Sequence, residues 1–239
     1  MLVLALDTTT RAGSVALVDD ERVVDERRGD ETRIHAERLP HELLDVANAH
    51  DVALAAIDLF AVASGPGSFT GLRIGIATIQ GLALVARRHV VGIAALDALA
   101  HAASRALDPG ATVAALMDAH RRDVFAALYR VAAAPPFDPA RLVSLDPPSV
   151  DDPASVLQRW RGRVGEQPVF IGDGAVLYSD RIVAAHSDAT ILEPPALAGT
   201  IGRLAVSAAR TGAAVDPAAI RPLYVRRPDA EVARDNRSR

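Results

Sequence analysis

The sequence predicts an α/β protein of two lobes built on one plan, and three observations carry that expectation. An apolar run ending in aspartate, a polar turn and a second apolar run stand at the N-terminus (LVLALD-TTTRAG-SVALV) and again in mid-chain (VAALMD-AHRRD-VFAALY). This recurrence of strand, terminal Asp, turn and strand points to an internal duplication. Strand-length apolar runs alternate with stretches of helical period. The turn Asp108-Pro109-Gly110 then divides the chain into a first lobe, residues 1–109, and a smaller second lobe, residues 110–198, with 199–225 expected to return to the first. A chain of 239 residues gives each lobe room for its own core.

Composition removes several kinds of chemistry. All 26 basic residues are arginine, so no lysine is present for a Schiff base or a phosphate-binding loop. There is no cysteine, hence no disulfide, thiolate nucleophile or cysteine metal site. A net charge of −4 gives the surface as a whole no attraction for nucleic acid. The C-terminus differs, because Arg221, Arg226, Arg227, Arg234, Arg237 and Arg239 gather there, and 226–239 reads as a polar, disordered tail. Asp7 interrupts the first apolar run before it reaches the length of a signal-peptide core. No apolar run approaches the ~18 residues of a membrane span. A cytoplasmic protein without a membrane partner is expected.

Leu2–Asp7 and Ser14–Val18 form the first hairpin, and Arg22–Arg28 adds a strand after the Asp19-Asp20 turn. Asp7, Thr8 and Thr9 place a carboxylate and hydroxyls at the hairpin mouth, which serves metal–phosphate in some folds and turn chemistry in most. Thr32–His50 reads as a helix with Leu39, Leu43, Val46 and Ala47 on one face, kinked or restarted at Pro40. His35 and His41 on that helix stand roughly 120° apart around its axis, unlike an i, i+4 metal pair, and no metal site is expected.

Leu59–Ala63 is a strand that breaks at Ser64-Gly65-Pro66-Gly67, and Ser68–Arg88 follows as a helix that Ser68 or Thr70 can cap. Free amides at a helix start beside glycine backbone make an anion-sized cradle. Gly65, Gly67 and Ser68, with Asp7, Thr8 and Thr9, are therefore the candidate nucleotide or phosphate turn. The spacing matches neither the Walker loop nor the dinucleotide fingerprint. On the helix, Leu72, Ile76, Ile79, Ala83 and Ala86 share one face, while Gly71, Gly75 and Thr78 form a second face of small residues. Ile74, Leu84 and Val85 leave little of the surface polar, so the helix is buried within its lobe or against a partner. Each glycine costs roughly 1 kcal/mol relative to alanine, which the close approach of another backbone offsets.

His89–Ala94 is a further strand, and a helix begins at Leu96. Pro135–Pro153 reads as a proline-rich loop broken by Leu142–Leu145, followed by a short helix at Val156–Trp160. Val169–Ile171 is a short strand entering Gly172-Asp173-Gly174-Ala175 and a helical segment, and Gly199–Thr211 is a helix.

Four segments together, LALDTTTRAGSVAL, SGPGSFTGLRIGIATIQGLAL, MDAHRRDVFAALY and PLYVRR, resemble the TsaB family in order and spacing. These are bacterial tRNA threonylcarbamoyladenosine biosynthesis proteins, relatives of the TsaD/Kae enzymes. The resemblance implies an actin-like, Hsp70-like (ribonuclease H-like) duplicated fold of mixed sheets with flanking helices. It implies a non-catalytic partner of TsaD, which transfers threonylcarbamoyl to the tRNA adenosine beside the anticodon, with the ATPase TsaE as a further partner. It implies pairing with TsaD, or with a second copy as a homodimer, through the two first-lobe helices, here with Leu39, Leu43, Val46, Gly71, Leu72, Gly75, Ile76, Thr78 and Ile79. The His-x-x-x-His metal pair of TsaD has no counterpart here. No intrinsic cofactor is expected, with ATP or ADP at a cleft or complex interface left open, and tRNA met through the complex. The alternative is an enzyme on the same fold, a small-molecule kinase or a metallopeptidase, which fold alone does not separate.

Overall fold

A computed structural model describes residues 1–225, and the arginines from Arg226 onward in the expected tail lie outside them. The N-terminal hairpin forms as its alternation requires. β1 (Leu2–Asp7) pairs antiparallel with β2 (Ser14–Asp19), from Leu2 opposite Asp19 to Asp7 opposite Ser14, and β3 (Arg22–Arg28) continues the meander. On the other side β1 runs parallel to β4 (Leu59–Gly65), which is parallel to β5 (His89–Ala94), giving the order β3-β2-β1-β4-β5. Central β1 is covered on both faces and so reads as a continuous apolar run, whereas edge strand β3 carries the charges.

The mid-chain hairpin starts a second sheet with the same plan. β6 (Thr112–Asp118) pairs antiparallel with β7 (Val124–Val131), and β7 with β8 (Leu142–Asp151). β6 is parallel to β9 (Val169–Ile171), and β9 to β10 (Thr190–Leu192), in the order β10-β9-β6-β7-β8. Each strand of one sheet has a counterpart in the other, with direction and neighbours preserved. This is the duplicated two-lobe, actin-like arrangement of mixed sheets. One expectation is corrected: much of the proline-rich stretch is not loop but β8. Pro147 and Pro148 fit because β8 is an edge strand whose register with β7 shifts around them, leaving both prolines outside the paired ladder.

Helices fill the faces. α1 (His35–Asn48) and α2 (Phe69–Ala86) cover one face of the first sheet, enclosing Leu4, Leu6, Val15 and Leu17. α1 starts later than Thr32 and runs through Pro40 without a break, since an exposed proline in the second turn removes a single helical N–H bond. α3 (Ala95–Ser104) packs between the sheets, in a core shared by Val3 and Ala5 of β1 and Val113 and Ala115 of β6. α4 (Pro153–Trp160), α5 (Asp173–Leu177) and α6 (Ser179–Ala185) flank the second sheet, with Val156, Trp160 and Ile182 buried against its outer face. α7 (Ala198–Arg210) enters the inter-sheet core through Ile201, Leu204 and Ala205. The chain then follows the first lobe, where Val215 bridges Val90 and the Leu223 N–H donates to the Ser64 carbonyl at 2.7 Å.

The helix faces correct the residue-level interface. Leu39, Leu43, Val46, Leu72, Ile76 and Ile79 are buried against their own sheet, so no partner reaches them. Gly71 and Gly75 face Thr8 of the same chain: a Cβ at Gly71 would strike the Thr8 carbonyl oxygen, and one at Gly75 the Thr8 side chain. Half-buried Thr78 bonds back to the Ile74 carbonyl at 2.8 Å. The outward ridge of α2 is instead Ala77, Gly81, Leu84 and Val85, with Leu84 57% and Val85 76% exposed. Taken by length and composition alone, α2 is apolar enough to cross a membrane, which corrects the reading that no segment is; its inner third is buried on the sheet.

Helix propensity and packing give opposite signs at Gly71. Propensity favours Gly71→Ala by ~1 kcal/mol, whereas the added Cβ meets fixed backbone. Urea unfolding is expected to show Gly71→Ala less stable than the parent; a stabilised variant would contradict this packing.

Candidate functional site

The duplication places two aspartate-ended hairpins opposite each other. Asp7 ends β1, Asp118 ends β6, and Asp173 opens α5. Between them runs a cleft of about 1090 Å³, lined on the first-lobe side by Thr9, Thr10 and the start of α2, and on the second by Asp118, His120, Phe125 and Asp173. Asp7 lies behind it, buried, its Oδ1 accepting from the Thr9 N–H at 2.9 Å and the Thr9 hydroxyl at 2.7 Å. This is local turn chemistry of the Asx type. Burial raises the Asp7 carboxyl above the ordinary aspartate range, the Thr9 bonds oppose the rise, and the charges of Asp173 and Glu26 add to it. Asp173 is also raised, mainly by burial and further by Asp118, although its Oδ1 accepts from the Asp118 and Gly174 N–H groups at 3.0 and 2.9 Å. A cavity of about 30 Å³ has both Asp7 and Asp173 in its wall, room for a single water.

The glycine turn is packed from within. Gly67 lies against Thr9, where a Cβ would come within 2.6 Å of the Thr9 Cβ. The Ser68 N–H donates to the Thr9 carbonyl at 2.9 Å, and the Ser68 hydroxyl caps α2 by accepting from the Gly71 N–H at 3.2 Å. Gly65 sits against the Leu223 carbonyl. The structure therefore brings Thr8, Thr9, Gly67 and Ser68 together as sequence reasoning expected, with their polar groups largely engaged with one another. Thr8 Oγ1 is buried without a hydrogen-bond partner. His35 is held within the fold, Nε2 3.1 Å from the Thr10 carbonyl and Nδ1 2.9 Å from Arg38, while His41 is exposed on α1. Among the described residues no three His, Asp or Glu side chains converge as metal ligands.

What sequence reasoning missed is the mouth of the cleft. Arg11, Arg33 and Arg73 line it from the β1–β2 turn, the segment before α1 and the first turns of α2. Arg73 lies 4.0 Å over the centroid of the Phe69 ring and donates through Nε to the Tyr224 hydroxyl at 2.9 Å, and the two rings are 5.2 Å apart. The i, i+4 spacing of Phe69 and Arg73 was legible. The approach of Tyr224 from the far end of the chain was not.

Ionisation of a buried carboxyl has a definite sign. A group whose folded pKa is raised binds its proton more tightly in the folded state, so stability falls as pH rises from the ordinary ~3.9 through the raised value. Asp7→Asn keeps an acceptor for Thr9 and removes the charge. Thermal melts are expected to show it more stable than the parent at neutral pH, with the difference vanishing below about pH 3.9. A variant less stable at neutral pH would mean that Asp7 is favoured as an anion.

Known proteins resemble this arrangement along most of the chain. The family model "TsaD: tRNA N6-adenosine threonylcarbamoyltransferase" matches residues 30–233. The tRNA threonylcarbamoyladenosine biosynthesis protein TsaB of Escherichia coli (strain K12) is 40% identical over 131 residues, 54% of this chain and 55% of that protein. The match to such curated relatives thus spans about half their length. An uncharacterized protein of Mycobacterium tuberculosis (strain ATCC 25618 / H37Rv) is 33% identical over 96% of this chain and 93% of its own. Among solved structures, an uncharacterized protein with similarity to peptidase YeaZ from Pseudomonas aeruginosa superposes with a TM-score of 0.77 at 30% identity, covering 94% of this chain and 99% of that one. A second structure, YeaZ from Pseudomonas aeruginosa, gives 0.72 at 28% identity, covering 93% and 99%. With a family model matched across most of its length and a shared fold over nearly all of it, the chain belongs to the TsaB (YeaZ) family of tRNA threonylcarbamoyladenosine biosynthesis proteins, within the wider TsaD family.

Proposed function

We propose that the chain is a non-catalytic partner of the TsaD transferase in threonylcarbamoylation of tRNA in the cytoplasm, joined by the ATPase TsaE, and that it docks through the outward ridge of α2. One observation carries this reading. α2 has the composition of a buried helix, yet Ala77, Gly81, Leu84 and Val85 face outward, uncovered by any described residue of the chain. Their i, i+4, i+7, i+8 spacing forms a continuous stripe, the pattern of a helix that packs against another helix. Burying the Leu84 and Val85 side chains is worth about 1.5–3 kcal/mol each, enough for two residues to dominate a small interface. Gly81 and Ala77 between them let a second helix approach closely.

The interior of the cleft supports a scaffold over an enzyme. Asp7 accepts from Thr9, the Ser68 N–H donates to the Thr9 carbonyl, and His35 is bonded to Thr10 and Arg38. These residues position one lobe, and none of them is left poised towards a substrate. The test is tRNA modification by purified TsaD, TsaE and a threonylcarbamoyl-adenylate source, with and without this chain. Modification is expected to depend on the chain, and the chain alone to hydrolyse neither ATP nor peptide. Full modification without it would overturn the proposal. Leu84→Glu with Val85→Glu is expected to weaken TsaD association at least tenfold, about 1.4 kcal/mol, while thermal stability stays near that of the parent. Unchanged association would place the interface elsewhere, and loss of self-association alone would assign the ridge to a homodimer.

A further inference from the structure

We propose that the rim of the cleft, Arg11, Arg33 and Arg73 beside the exposed ring of Phe69, is a direct contact surface for the phosphate backbone of tRNA, an inference that rests on the chain's place in tRNA modification. The three arginines come from three different elements and line one cleft mouth, all exposed. None forms a salt bridge among the described residues. Arg11 is held by a neutral acceptor, its Nε donating to the Glu31 carbonyl at 2.9 Å. Arg73 is held by the Tyr224 hydroxyl and the Phe69 face. These contacts hold Arg11 and Arg73 without an ion pair, while the Asp30 carboxyl is lowered by its Thr32 hydrogen bonds and further by nearby Arg33, on a protein whose net charge is −4. Some arginines of the chain are used differently: Arg38 pairs with Glu42, Arg159 with Asp146, and Arg210 with Asp20. One carboxylate, Glu31, shares the rim.

The ligand class follows from where the charges lie. The second-lobe wall of the cleft carries Asp118 and Asp173 together with Arg121, and Asp7 shares the adjoining small cavity with Asp173. A mononucleotide seated between the lobes would bring its phosphates against these carboxylates. A polyanion crossing the mouth meets the arginines and stays clear of the floor. Guanidinium groups serve phosphate well through their planar donor fork, and the Phe69 and Tyr224 rings hold that of Arg73 at the cleft. The rim adjoins the first turns of α2, whose outward ridge continues to Leu84 and Val85. RNA held there lies beside the docked transferase.

The experiment uses the full chain assembled with TsaD and an unmodified tRNA transcript as probe, with affinity measured by fluorescence anisotropy from about 50 to 200 mM salt. Arg11→Gln, Arg33→Gln and Arg73→Gln are combined in one variant, with Arg→Lys at the same positions as the charge-preserving control. The glutamine variant is expected to assemble normally, bind tRNA at least tenfold more weakly and flatten the log–log salt slope by about 2–3. The lysine variant is expected to recover most of the slope. Normal assembly with unchanged affinity and slope would overturn the inference and leave the partner reading standing. ATP or ADP binding lost in the glutamine variant while tRNA affinity is unchanged would overturn it in favour of a mononucleotide. If the unsubstituted chain neither joins TsaD nor supports modification, the partner reading fails, and this inference with it.

Discussion

The close seating of the β1–β2 turn on α2 is the constraint on which the first lobe depends. Thr8 and Thr9 lie where side chains on α2 and its preceding turn would otherwise stand, and Gly67, Gly71 and Gly75 make the room. The helix gives up about 1 kcal/mol of propensity at Gly71 and again at Gly75. In return Asp7 is sealed behind Thr9, Ser68 caps α2, and the helix axis is fixed against the hairpin. That geometry decides which face of α2 is inward. Leu72, Ile76, Ile79 and Ala83 complete the core, and the opposite ridge is presented outward as a consequence.

The second lobe repeats the hairpin, and the contrast between the copies is informative. In the first, Asp7 is folded onto its own turn. In the second, Asp118 pairs with His120 at 3.1 Å and its N–H is held by Asp173. Three consecutive residues, His120, Arg121 and Arg122, have positive φ in the connecting turn, and the first two line the cleft. The lobes are joined by α3 and α7 in one inter-sheet core, and Tyr129 of β7 donates to Asp97 of α3 at 2.5 Å across that junction. Burial raises the carboxyls of Asp7 in the first lobe and Asp173 in the second.

Most of the fold was legible because its signals are local. The repeated run-Asp-turn-run marks the start of each sheet, and the glycine-proline break marks the start of α2. Strand β8 was hidden by Pro147 and Pro148, which local chemistry excludes from a central strand but an edge tolerates. Three-residue β10 is too short to carry a period. The expected interface residues lie inward for a related reason: periodicity identifies the most apolar stripe of a helix, and in a helix apolar nearly all round that stripe is the one the lobe keeps. Leu84 and Val85 were visible as apolar but their direction was not. The rim arginines were illegible because Arg11, Arg33 and Arg73 come to line one cleft, and Tyr224 reaches Arg73, only through tertiary approach.

The central claim, that the outward ridge of α2 is a docking face for TsaD, is most directly tested by thiol labelling, which the natural absence of cysteine makes clean. Leu84→Cys reports on the ridge, and Val143→Cys, 52% exposed on β8 in the parent, reports on a remote surface. Labelling rates are compared in the free chain and with saturating TsaD. The account predicts strong slowing at position 84 and an unchanged rate at 143. Equal rates at position 84 with and without bound TsaD would contradict it.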